Sequence, residues 1–125
     1  MQKTTKQASS TRLSEVIVQG MLEKKAGEIV VIDLRKVQNA VADYFVLCSG
    51  NSDTQIDAIS ESIEEEVKKR TSQTPWHREG HNQREWILID YVDVVAHVFN
   101  KEKRAFYGLE ELWGDGIIQR LESVN

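Results

Sequence analysis

The stretch from Arg84 to Gly116, REWILIDYVDVVAHVFNKEKRAFYGLEELWGDG, constrains the fold more than any other part of the chain. Two short segments, Trp86 to Asp90 and Asp93 to Phe99, are rich in β-branched and aromatic residues and lie a few residues apart, which reads as a β-hairpin. Successive side chains on a strand point to opposite faces. Trp86, Leu88 and Asp90 therefore share one face of the first strand, opposite Ile87 and Ile89. In the second strand Asp93, Val95, His97 and Phe99 lie opposite Val94, Ala96 and Val98. A two-residue turn at Tyr91-Val92 sets Asp90 against Asp93, Leu88 against Val95 and Trp86 against His97. One side of the hairpin is then wholly aliphatic and belongs in a core. The other joins Trp86, Leu88, Val95 and His97, bordered by Asp90 and Asp93. Indole and imidazole carry polar tips that a dry core has to satisfy. Two readings stand: an aromatic anchor ringed by polar groups, as in interface hot spots, or a face buried under a second helical layer. Tight hairpin turns ask for positive φ, which the β-branched Val92 resists, so the turn is the weak point of this register.

The rest of the chain supplies layers for such a hairpin. Its 125 residues fit one domain. Leu13, Val16, Ile17, Met21 and Leu22 keep helical spacing, with a stop at Ala26-Gly27. Glu28 to Leu34 and Tyr44 to Ser49 read as strands. Ser52 and Gln55 form an S-x-x-Q capping pattern ahead of a stripe of Ile56, Ile59, Ile63 and Val67. Acids Glu64 to Glu66 followed by Lys68, Lys69 and Arg70 make the solvated face of that helix and suit its dipole. Thr74 to Glu79 reads as a short edge strand. Glu102 to Trp113 reads as a helix with Phe106, Leu109, Leu112 and Trp113 on one side, and residues 117 to 125 as a last short turn. The predicted order is α-β-β-α-β-β-β-α: an α/β (α+β, mixed) domain with a sheet of about five strands flanked by helices. Residues 1–10 are expected to be a flexible tail, 11–118 the domain and 119–125 a C-terminal tail.

Composition excludes several function classes. The net charge is −4, and the basic residues are scattered among acids, as in EEEVKKR and NKEKR. A nucleic-acid binder normally shows a basic stripe, so a basic protein partner fits better than RNA or DNA. No apolar run approaches the ~18 residues of a membrane helix. The start, MQKTTKQASSTR, lacks an apolar stretch; its Lys3, Lys6 and Arg12 resemble a presequence only faintly and read as an untargeted N-terminus. The single cysteine, Cys48, sits in an apolar strand, which suits a buried thiol in a reducing cytoplasm. Enzyme readings fare poorly. Ser49-Gly50-Asn51-Ser52 before a helix could hold phosphate as in a nucleotidyltransferase, but the paired carboxylates for Mg²⁺ are missing, and Ser52 is explained as an N-cap. His77, Glu79 and His81 lack the frame of a zinc site, and Cys48 lacks an activating environment. Arg104 and Tyr107 as a phosphate-reading pair rank below an Arg104 ion pair. No catalytic residue, cofactor or metal is expected.

The hairpin, together with DYFVLCSGNS at positions 43 to 52, resembles the ribosomal silencing factor family, also called RsfS or Iojap-like proteins. The shared pattern runs through Asp43, Tyr44, Phe45, Gly50, Ser52, Glu79, Gly80, Trp86, Asp90, Asp93, His97, Val98, Phe99, Arg104, Tyr107, Leu109, Glu110, Leu112 and Trp113. It covers about residues 12 to 115. The chain departs from it at Val92, where the family usually has Gly, and at Gly108, where a polar residue is more usual. The resemblance implies a nucleotidyltransferase-like fold without catalytic machinery. It implies binding to the large ribosomal subunit through ribosomal protein L-fourteen, which blocks joining of the small subunit and lowers translation when nutrients are scarce. A large-subunit assembly factor is the alternative, and a homodimer is a further expectation from the family. The residues expected to meet the partner are Trp86, Leu88, Asp90, Asp93, His97, Phe99, Arg104, Tyr107, Glu110 and Trp113.

Overall fold

In the computed structural model, residues 2–121 are described, with side chains described from Ser9 onward and Phe106 excepted. The elements are α1 (Gln2–Glu23), β1 (Gly27–Asp33), β2 (Tyr44–Gly50), α2 (Asp53–Thr71), β3 (His77–Glu79), β4 (Trp86–Asp90), β5 (Val94–Asn100), α3 (Arg104–Tyr107), α4 (Leu109–Leu112) and β6 (Ile117–Arg120). One mixed sheet runs β3-β4-β5-β2-β1-β6. Among the described residues only β2 and β5 are parallel neighbours, and the other strand pairs are antiparallel. The parallel pair is central and buried on both faces, and YFVLCSG and VVAHVFN are accordingly almost continuous apolar runs.

Both long helices lie on one face. Leu13, Val16, Ile17 and Met21 of α1 and Ile56, Ile59, Ile63 and Val67 of α2 pack with Val46, Cys48, Ile87, Ile89, Val94, Ala96 and Val98. The aliphatic side of the hairpin is core, as its pattern demands. Ser52 accepts from the backbone N–H of Gln55 at 3.1 Å, and Gln55 Oε1 accepts from the N–H of Asn51, the residue before the N-cap, in a near variant of the capping box. The Gln55 side-chain amide also donates to the carbonyls of Lys24 and Lys25, tying the start of α2 to the end of α1.

Two expectations need correction. The last segment is a sixth strand, not a turn: β6 adds to the outer edge of β1. The helix expected over 102 to 113 is two single turns, because Gly108 takes a left-handed conformation (φ 57°) between them. Leu109 is buried while Leu112 is exposed, and Phe106, assigned to the same side, lies outside the described side chains. The helix α1 spans Gln2–Glu23 and β6 spans Ile117–Arg120.

The hairpin register is also shifted. Leu88 faces His97 and Trp86 faces Phe99, with the tip at Val92-Asp93 rather than Tyr91-Val92. The Tyr91 N–H donates to the Val94 carbonyl at 2.9 Å, and Val92 takes φ 76°. The Asp90 carboxylate accepts from the Val92 N–H at 2.7 Å, which helps hold this turn. The shift is even, so each side chain keeps the face that alternation assigned to it.

Candidate functional site: a tryptophan-centred face

The second face of the sheet is covered unevenly. Over β1, β2 and β5 lie the short α3–α4 segment and the loop between β1 and β2, which pack Leu109, Tyr107, Trp113, Val37, Ala40 and Ala42 onto Val30, Ile32, Phe45, Leu47, Val95 and Phe99. Trp86 and Leu88 stand on β4, one strand from the edge, and remain half-buried at the border of this cap. Of the two readings of the face, neither holds in full. A partial cap replaces the second helical layer, and the tryptophan lies at its margin.

The aromatic side chains interlock. The indole of Trp86 stacks on Phe99 at 5.3 Å between centroids and meets Tyr107 at 4.8 Å. Trp113 stands edge-on to Phe45 at 5.6 Å, and Phe45 edge-on to His97 at 4.7 Å. Trp86 Nε1–H donates to His97 Nδ1 at 2.9 Å. Since Trp86 and His97 are diagonal rather than directly opposite, only long side chains could meet this way. With Nδ1 accepting, the neutral imidazole carries its proton on Nε2. Burial pushes the imidazole down to about 3, so the ring is neutral at ordinary pH.

Burial sorts the ten residues expected at the docking face. Trp86, Leu88, Asp90, Asp93, Tyr107, Glu110 and Trp113 are partly exposed. His97 and Phe99 are buried, at 2% and 0% exposure, and support the tryptophan from beneath instead of presenting a surface. Arg104 is also buried. Its Nε donates to Glu110 at 2.9 Å, and Nη1 donates to Ser49 Oγ at 2.9 Å and to the Glu28 carbonyl. Burial raises the Glu110 carboxyl, but hydrogen bonds and charge from Arg104 and Arg120 outweigh it and hold the group below its usual range. Arg104 and Glu110 thus staple the cap to β1, β2 and β6. The sequence pattern missed Leu112, 72% exposed beside Trp113. A helix read as continuous put it inward, and only the Gly108 break turns it out.

The catalytic rivals gain little. Ser52 is an N-cap, and Asp53 and Asp57 face Arg84, with Asp57 accepting from its Nε at 2.9 Å. Burial pushes the Cys48 thiol up to about 12. His77 pairs with Glu79 at 3.3 Å and His81 meets Ser60 at 3.1 Å. Among the described residues no group of three or more His, Cys, Asp or Glu could hold a metal ion, and no helix is long and apolar enough to cross a membrane.

Fold and face together define a class: a single mixed-sheet α/β domain with two long helices on one face and a partial cap on the other, Trp86 standing at the margin of that cap. The family described as "RsfS: Ribosomal silencing factor during starvation" matches residues 7–125. The chain belongs to this ribosomal silencing factor family. It is 37% identical over 116 residues to "Ribosomal silencing factor RsfS" of Halalkalibacterium halodurans, covering 93% of this chain and 97% of that one. The Bacillus subtilis protein of the same name is 40% identical over 100 residues, 80% of this chain and 83% of the relative. A crystal structure of a Chromobacterium violaceum protein superposes with a TM-score of 0.77 at 28% identity, covering 83% of this chain and 85% of that one. The curated relatives are named as silencing factors, not enzymes.

Proposed function

We propose that this protein represses translation under nutrient limitation by docking, in the cytoplasm, on the large ribosomal subunit through ribosomal protein L-fourteen and sterically blocking the small subunit. The observation that carries the reading is the half-buried Trp86 at the margin of the cap, in one cluster with Leu88, Tyr107 and Trp113 and with the carboxylates of Asp90 and Asp93 on the same hairpin. Large, preorganised aromatic anchors are where binding energy concentrates. A protein of net charge −4 suits a basic ribosomal partner.

The test is co-sedimentation with salt-washed large subunits. Trp86→Ala should weaken binding by roughly 2 kcal/mol, the cost of truncating a hot spot. Trp76→Ala is the control, because Trp76 is 74% exposed and precedes the edge strand β3, its backbone N–H bonded to the Asp90 carbonyl, while its side chain is not among those packed in the cap. A Trp86→Ala protein that folds normally and sediments with subunits as wild type does would refute the reading. A second copy covering this face would compete with the subunit, so sedimentation of the free protein belongs beside the assay.

A further inference from the structure

We infer that His97 is a positioning residue for the docking tryptophan: it holds the Trp86 indole in one orientation by accepting its N–H from beneath. The inference rests on the docking reading above and adds how the anchor is preorganised.

The geometry shows an arrangement that costs stability. His97 sits in the middle of β5 at 2% exposure, between Phe45 and Phe99, without a charged group among its ring neighbours. Its Nδ1 accepts the indole proton, and its Nε2 is buried with no hydrogen-bond partner. An orphaned buried donor costs about 1–3 kcal/mol, so a core position that needed only volume would be better served by leucine or phenylalanine. The edge-on Phe45 ring, 4.7 Å away, offers that N–H at most a weak aromatic acceptor. What histidine supplies here, and an apolar residue cannot, is an acceptor at the position of the indole nitrogen.

The consequence concerns the partner. An indole pinned at Nε1 presents its carbon edge outward in a fixed rotamer, so docking need not freeze the side chain at the moment of binding. With the N–H directed inward, the complementary site on the partner is apolar and supplies no acceptor to the ring. The partner is therefore recognised by shape at Trp86 and by charge at Asp90 and Asp93.

Three measurements decide the matter. In ¹⁵N-labelled wild type, one indole N–H should exchange slowly and show through-bond coupling to a histidine nitrogen; an indole at Trp86 exchanging at solvent rates overturns the inference. In co-sedimentation with large subunits, His97→Phe should bind about tenfold more weakly, the worth of one well-placed hydrogen bond. His97→Gln, whose Oε1 can accept the indole proton, should stay within about threefold of wild type. In a Trp86→Phe background the same His97→Phe change should have no further effect on binding, whereas a purely structural histidine would keep its effect there. If Trp86→Ala abolishes binding but His97→Phe binds like wild type, positioning fails and docking stands. If Trp86→Ala itself binds normally, the docking reading fails.

Discussion

Val92 occupies the tip of the β4–β5 hairpin with φ 76°, a conformation that costs a β-branched residue about 1–2 kcal/mol. Its side chain is exposed, so little packing is lost on removing it. Val92→Gly should therefore stabilise the protein by about 1 kcal/mol, part of the relief being returned as unfolded-chain entropy. The midpoint of urea denaturation measures it, and a drop in stability would show that the turn is not strained. Arg104 lies at the opposite extreme. Its guanidinium serves Glu110, Ser49 and the Glu28 carbonyl from a buried position. Arg104→Met should cost about 3 kcal/mol, because Ser49 and the Glu28 carbonyl lose this donor inside the protein and Glu110 keeps only Arg120. The loss should appear first as loosening of α3–α4, visible as faster amide exchange from 104 to 113 than in the sheet.

Glycines let elements pack closely here, Gly20 and Gly80 among them. Gly20 on α1 lies against α2 so closely that a Cβ would stand 2.8 Å from Ile63 Cα, and its carbonyl accepts from Ser62 Oγ at 2.8 Å. Gly20→Ala forces the helices apart and should destabilise the fold by about 1–3 kcal/mol, read as a fall in the thermal midpoint. Gly80 leads from β3 toward β4 with φ 87°, and a Cβ there would stand 2.0 Å from the Trp86 carbonyl oxygen. Any side chain at Gly80 must displace the start of β4, and with it Trp86. Gly80→Ala should weaken subunit binding as well as stability, while Gly20→Ala should spare the affinity of the molecules that remain folded.

At the scale of the molecule, acid sensitivity follows from the buried imidazole. His97 is depressed from its ordinary 6.5 to about 3 in the folded chain. The unfolded chain binds the proton first, so this contribution is complete above about pH 6.5 and is lost as pH falls toward 3. The expected slope is about 1.4 kcal/mol per pH unit inside that window. Asp33 and Glu110, both held below their usual range in the fold, add to the loss at the acid end. His97→Gln should flatten the slope between pH 6 and 4.5 whatever it does to absolute stability; chemical denaturation at several pH values is the measurement.

Local pattern carried far in this chain. The period of two in WILID and VVAHVFN, the capping box at Ser52 and the stripe from Ile56 to Val67 determined which residues enter the core and which face Trp86 shares, since these depend on alternation and spacing along one segment. Burial on the second face was not legible in the same way. His97 and Phe99 alternate correctly with the exposed set, yet the cap swung over them by Gly108 and pinned by Arg104 buries both. The sixth strand and the two-residue shift at the hairpin tip likewise came from contacts between segments distant in the chain or from strain tolerated at one residue. Exposure depends on what a distant segment covers, and only the three-dimensional packing decided that Trp86 would stand at the edge of the cap and His97 beneath it.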